Sequence, residues 1–341
     1  MKNMMLHNIT KCICKIIANL KIGSQLIMLW SFVSCNGLLD VGPPATELVS
    51  TAVFDNDAMA DGAMAGIYHN MISSQSVFSG GGSGSVSFLG SLASDDLVFD
   101  GTNVVMSQFS ENNVRPDNAA ILTIWSSAYK RIYEANSIIE GVSSGRISEQ
   151  LERQLKGEAL FIRAFCHFYL TNAFGEIPII TSTNYHENRL KGKAGIAEVY
   201  IQVEKDLEEA IELLPIGYNH ANGERVRANR AAASALLART FLYQKKWQLA
   251  IDFSNSVINQ NETYFLSDDP NDVFLKNNHE AIWQLLSVDA QVVTYEAFNA
   301  LNHSTSNPPS ATIGERLLLA FEEGDIRAQY WIGELEGQDG T

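Results

Sequence analysis

The stretch Leu155–Ile180, LKGEALFIRAFCHFYLTNAFGEIPII, begins as a helix and ends in a hard stop. Ile162, Phe165, Cys166, Tyr169 and Ala173 recur at helical spacing. The opposite side, with Leu160, Ala164 and Phe168, is hardly more polar. A helix that is apolar nearly all round must be covered on more than one face, so the rest of the chain has to supply several neighbours. Gly175 stands where a left-handed C-cap residue belongs, and Pro178 forbids continuation. Glu176–Ile180 then leaves as an extended segment. Nothing in this stretch is arranged for chemistry, and it reads as a central core helix with a tight exit.

The neighbours are legible on both sides. Ile121, Ile124, Trp125, Ala128, Ile132, Ala135 and Ile139 form the stripe of a helix over 118–141. A short Ser-Gly turn joins it to the central helix at 148–174, which predicts an antiparallel helical hairpin. A helix over 194–214 buries Val199, Val203, Leu207, Ala210, Ile211 and Leu214 and stops at Pro215. Helices over 228–244 and 247–259 follow, joined by Lys245-Lys246. Leu237, Ala238, Phe241, Ala250 and Val257 fall at tetratricopeptide spacings, with Ala210 and Pro215 matching the end of the preceding unit. Such units need neighbours to bury their faces, so a short solenoid is expected. Upstream, Met59, Ala63, Ile67 and Met71 mark a helix that Asp55 or Asp57 would cap. Ser73–Gly90 reads as a flexible loop and Leu92–Phe109 as short β-like runs around the turn at Asp100–Asn103.

The 341-residue chain is 46% hydrophobic and carries a net charge of −15. It lacks the basic footprint that nucleic acid requires, and an anionic membrane surface would repel it. Residues 1–34 differ, holding Lys2, Lys11, Lys15 and Lys21 and no acid. The apolar run Ile22–Ser34 is too short to span a bilayer comfortably and reads as the core of a signal peptide. Phe32-Val33-Ser34-Cys35 resembles a bacterial lipobox. The expectation is cleavage before Cys35, lipidation of that residue, and a tethered protein; an ordinary secretory signal is the alternative. Cys12 and Cys14 are too close for a C-x-x-C motif, and Cys166 reads as a small core residue.

No catalytic or metal constellation emerges. The glycine-rich Gly80–Gly84 is not followed by the Lys-Ser/Thr of a phosphate loop and does not fit a nucleophile elbow. His186-Glu187 and His279-Glu280 each lack the second histidine four positions on that a zincin needs. His167, on the crowded helix, reads as a hydrogen-bonded core histidine. Asp268, Asp269 and Asp272 read as a capped turn rather than a cation site. The expectation is a non-enzyme without cofactor or metal.

The chain also resembles a known family. Gly157-Glu158-Ala159, Arg163-Ala164-Phe165, His167-Phe168 and Phe174-Gly175-Glu176-Ile177-Pro178 resemble the signature of the SusD/RagB family. Other motifs follow in order. They are Asp95-Asp96; Trp125, Tyr129, Ile132, Asn136 and Ile138-Ile139; the Asn277–Leu285 "N-x-E-x-I-W" strand; and Gly324-Asp325-Ile326-Arg327 with Trp331-Ile332. The resemblance covers about residues 35–335. It implies a mainly α fold, a tetratricopeptide-like helical-repeat scaffold with loop-rich and short β-strand insertions. It implies a signal peptide at 1–34 and one SusD-like domain at 35–341. That domain divides into a loop-rich part at 35–117, a repeat core at 118–260 and a second loop-rich part at 261–341. Family members continue further, so the domain reads as C-terminally truncated. The implied role is that of a lipid-anchored surface protein of Bacteroidetes that captures oligosaccharide for a SusC-like, TonB-dependent outer-membrane transporter. Sugar binding needs aromatic faces for pyranose C–H surfaces and amides or carboxylates for hydroxyls. The loop residues of that kind are Phe99, Asp100, Asn103, Gln108, Phe109, Tyr295, Phe298 and Asn299. Two other readings stay open at this point: a RagB-like member that binds peptides, and a tetratricopeptide adaptor for protein partners.

Overall fold

The computed structural model describes residues 53–72, 78, 82–143, 146–286, 294, 309 and 311–334. Its elements are α1 (Asp57–Ile72), α2 (Val86–Ala93), β1 (Leu97–Val98), α3 (Val104–Ser110), α4 (Ala119–Val142) and α5 (Glu149–Phe174). Then come α6 (Tyr185–Asn188), α7 (Ile196–Leu213), α8 (Arg230–Tyr243), α9 (Trp247–Ile258), β2 (Thr312–Ile313), α10 (Glu315–Leu318) and α11 (Ile326–Trp331).

The long helices pack as a succession, α4 on α5, α5 on α7, α7 on α8 and α8 on α9, with α1 laid against α4 and α5. This is the expected helical-repeat scaffold with α5 at its centre. Leu155, Ala159, Leu160, Ile162, Ala164, Cys166, Phe168 and Leu170 are all buried, so α5 is covered on several faces. Gly157 permits a close approach of α7. A Cβ there would sit 2.9 Å from Leu214 Cγ and 3.1 Å from Leu213 Cβ, at the end of α7. The exit is as the residues dictate: Gly175 adopts φ +77°, and its N–H donates to Thr171 O at 2.9 Å.

The caps explain where helices begin. Asn118 Oδ1 accepts from Ala120 N and starts α4, and Asn229 does the same for α8 through Ala232 N. For α1 the cap is neither Asp55 nor Asp57. Asn56 Oδ1 accepts from Met59 N, and Asp57 is used elsewhere. Its carboxylate accepts from both Ser148 N (2.8 Å) and Ser148 Oγ (2.7 Å) at the N-terminus of α5. Those two bonds hold the Asp57 carboxyl below the usual carboxylate range. Arg146 pairs with Asp55 beside it.

Three local expectations are corrected. Gly82–Gly90 is not all loop, because Ser85 caps α2 from within it by accepting from Phe88 N. Of the β-like run at 92–109, only Leu97–Val98 is strand; Val104–Ser110 is helical, since Asn103 caps it by accepting from Val105 N. Ile282–Leu285 is not a strand either. Gln284 N donates to Arg225 O at 2.8 Å, but no ladder extends from that bond among the described residues. The one sheet described pairs β1 with β2 antiparallel, Leu97 opposite Ile313 and Val98 opposite Thr312.

Candidate functional site

The candidate loop is the α2–β1–α3 segment. Ser94–Asp96 turns the chain out of α2, with Asp95 at φ 64°. That left-handed backbone is held by Asn112, itself at φ 51°, whose amide donates to Asp95 Oδ1 at 3.1 Å. Gly314 N donates to Asp96 O at 2.9 Å, and the β1–β2 pair ties the segment to residues 312–313. The loop is thus fixed at its base by Asn112, just beyond α3, and by the distant residues 312–314.

Phe99 is half-buried against the core, with its ring folded over Gly101, where a Cβ would lie 2.5 Å from the ring. Phe109 is likewise half-buried on the core. Asp100 and Asn103 are exposed. Gln108 Oε1 accepts from Arg115 N (3.1 Å) and Asn118 Nδ2 (2.9 Å), joining α3 to the start of α4. The amide oxygens of Asn103 and Gln108 therefore have structural partners, while their amide nitrogens and the Asp100 carboxylate have no hydrogen-bond partner among the described residues. These five residues are brought together on one short segment. Tyr295, Phe298 and Asn299 lie outside the described residues, as does Cys35.

A second constellation is built from buried charge. Arg163 on α5 donates from Nε to Asp206 Oδ2 (2.8 Å) and from Nη2 to Asp206 Oδ1 (2.6 Å), a bidentate pair reaching α7. Its Nη1 donates to Asn136 Oδ1 on α4 at 2.8 Å. Asn136 Nδ2 in turn donates to Ile180 O and Ser182 O on the exit segment. Burial raises the Asp206 carboxyl above its ordinary value, opposed by the Arg163 guanidinium. One turn on, His167 is fully buried. Ile180 N donates to its Nε2 at 3.3 Å, so Nε2 carries no proton and Nδ1–H donates to Arg163 O at 3.0 Å. Burial first, and Arg163 second, lower its pKa to about 3. It is the core histidine the sequence suggests.

Glu158, completely buried on α5, accepts from Gln154 Nε2 and from Arg227 Nε at 2.9 Å. Arg227 also pairs with Asp61 on α1 at 2.5 Å, and Tyr68 OH accepts from Ala228 N. Tyr129 OH donates to Pro178 O at 2.7 Å, and Trp125 packs edge-on against Phe174 at 5.2 Å. Sequence reasoning missed these pairings, although Asn136, Glu158, Arg163 and His167 all stand in the motifs quoted for the resemblance. Their common job is to fasten α1, α4, α7 and the exit segment to α5, so the signature encodes scaffold.

Among the described residues no group of three or more His, Cys, Asp or Glu is placed to hold a metal ion. Asp269 Oδ1 accepts from Asn271 N at 2.8 Å and caps the single turn Pro270–Phe274, the capped-turn reading of that acidic run. No helix of the described residues is long and apolar enough to cross a membrane.

The scaffold is thus a mainly helical repeat array, locked by buried ion pairs, with irregular segments both before and after it in sequence. The family model described as "Starch-binding associating with outer membrane" matches residues 39–242, well over half of the chain. The chain belongs to the SusD-like family, whose members are binding proteins and not enzymes. It is 26% identical over 280 residues to the SusD-like protein P25 of Formosa agariphila, covering 76% of this chain and 50% of that protein. The chain spans about half the length of the curated relatives it matches. A SusD-like carbohydrate-binding protein from Bacteroides fragilis shares the fold, with a TM-score of 0.66 at 21% identity over 81% of this chain and 56% of the other. A laminarin-binding SusD-like protein superimposes with a TM-score of 0.57 at 27% identity, covering 64% of this chain and 48% of the other.

Proposed function

We propose that this chain is a surface binding protein for neutral oligosaccharide, tethered to the outer membrane through a lipid on Cys35 and serving a TonB-dependent transporter. The observation that carries this reading is the family match across residues 39–242, in a family described as starch-binding and associated with the outer membrane. The laminarin-binding relative adds support for a glucan ligand. The net charge of −15 favours a neutral ligand over an anionic one. In this reading Phe99 and Phe109, with Tyr295 and Phe298, offer ring faces. Asp100, Asn103, Gln108 and Asn299 offer groups for the hydroxyls. The signal peptide at 1–34 and the domain at 35–341 belong to the same proposal.

The test is capture of the chain from native membranes solubilised in mild detergent, followed by identification of what accompanies it. A large β-barrel transporter in near-equal amount is expected. A soluble protein in place of a barrel would overturn the uptake role.

A further inference from the structure

The segment 218–229, between α7 and α8, is the joint that fastens residues 263–284 to the helical array. On one side of the joint, Tyr218 OH donates to Ile282 O at 2.7 Å, and Arg225 donates to Ala281 O and Thr263 O. Gln284 N donates to Arg225 O at 2.8 Å, and Arg225 N to Asn277 Oδ1 at 2.9 Å. On the other side, Arg227 reaches Glu158 on α5 and Asp61 on α1, and Ala228 N donates to Tyr68 OH on α1. The joint has little regular structure of its own. It contains one 3-10 turn at Asn219–Ala221 and then turns through Asn222 at φ 54° and Gly223 at φ 83°.

His220 closes this segment on itself. Its Nε2–H donates to Ala228 O at 3.1 Å, so the neutral ring carries its proton there and Nδ1 is a bare acceptor. That Nδ1 is buried and has no hydrogen-bond partner among the described residues. The charged groups facing the ring are Arg227 on the same segment, Glu158 on α5 and Asp61 on α1, with the Tyr68 hydroxyl of α1 held at Ala228. Both carboxylates are already bonded to Arg227, whose own Nη2 is buried without a partner. A second proton on the imidazole would put a donor at Nδ1 where the described residues offer no acceptor, and a second cation beside the guanidinium. Burial first, opposed by Glu158, holds the His220 pKa below its ordinary value of 6.5.

We infer that His220 is an acid-sensitive clasp: its neutral imidazole keeps the joint folded on itself, and its protonation releases residues 263–284 from the array. Tyr218 and Arg225, which hold those residues, stand on either side of His220 in sequence, so opening the joint frees both anchors. The direction with pH follows from linkage. A base that is harder to protonate in the closed state takes up its proton on opening, so the closed state loses stability as pH falls through 6.5. The helices α4, α5, α7 and α8 pack on one another without this joint, so the release is local. The clasp is independent of what the protein binds.

The test is amide hydrogen exchange of the full chain at about pH 7.5 and 5.5, one unit either side of the ordinary histidine value, compared as protection factors. The proteins are the wild type, His220→Gln, which keeps a donor for Ala228 O, and His279→Gln. His279 is the histidine within the released part, exposed and stacked on Phe265 at 4.1 Å. Protection of residues 263–284 should fall between the two pH values, by at most about tenfold, in the wild type and in His279→Gln. It should stay level in His220→Gln. No fall in the wild type, or an equal fall in His220→Gln, overturns the clasp. A fall lost in His279→Gln and kept in His220→Gln assigns the response to His279 and overturns it as well. A direct reading needs no variant: the His220 imidazole followed by NMR should titrate below 6.5 in the folded protein, and titration at or above 6.5 overturns the inference.

Discussion

Removing the Asp206 carboxylate should be among the most damaging single changes in this chain. Arg163 and Asp206 are 6% and 1% exposed, and two bonds of 2.8 and 2.6 Å join them. Asp206→Ala leaves a guanidinium buried between α4, α5 and α7 with, among the described residues, Asn136 Oδ1 at 2.8 Å and Thr181 O at 3.5 Å as its remaining acceptors. Breaking a buried pair in this way costs about 3–5 kcal/mol, because the remaining charge has no compensation. In a chain of this size that corresponds to a fall in Tm of about 4–7 °C. The double variant Arg163→Met/Asp206→Leu removes both charges and should cost clearly less than the sum of the two single changes. Chemical denaturation of the four proteins supplies the cycle. Amide hydrogen exchange should show Ile180 losing protection in Asp206→Ala, since the exit segment hangs on the same network. An Asp206→Ala protein within about 1 kcal/mol of wild type, or a double variant as bad as the sum, would refute the argument.

Three further outcomes are expected. His167 is neutral in the folded state down to a pKa of about 3, whereas in the unfolded chain it takes up a proton near pH 6.5. This group therefore removes stability as pH falls from 6.5 towards 3, by about 1.4 kcal/mol per pH unit. The stability gap between wild type and His167→Gln should narrow at that rate in denaturation curves taken between pH 6.5 and 4.5; a constant gap would contradict it. Gly157→Val drives a branched side chain into Leu213 and Leu214, and should destabilise by about 1–3 kcal/mol, read by urea unfolding. Arg225 donates to Ala281 O (2.7 Å) and Thr263 O (2.8 Å) and stacks on Tyr218 and Tyr264. Arg225→Ala should therefore expose residues 263–284 to limited proteolysis while the helical array stays protected.

How much of this was legible depends on the distance over which a residue acts. The helices α4, α5, α7, α8 and α9 follow from spacing, Asn118, Gly175 and Pro215, all local signals, and they emerge within two residues of expectation. Val104–Ser110 was misread because Val104-Val105 favours a strand, although Asn103 at the N-cap position was there to be weighed. The buried pairs join residues far apart in sequence, Arg163 to Asp206 and Glu158 to Arg227, and no periodicity reports such a distance. The candidate site was legible only as residue types on loops. Asn103 and Gln108 turned out to lend their oxygens to capping and bracing, which only the fold could show.

The most direct test of the central claim is titration calorimetry of the chain against laminarin- and starch-derived oligosaccharides, with Phe99→Ala beside the wild type. Saturable binding of at least one glucan, weakened in Phe99→Ala, is the predicted result. No heat with any glycan, together with saturable binding of peptides, would contradict it.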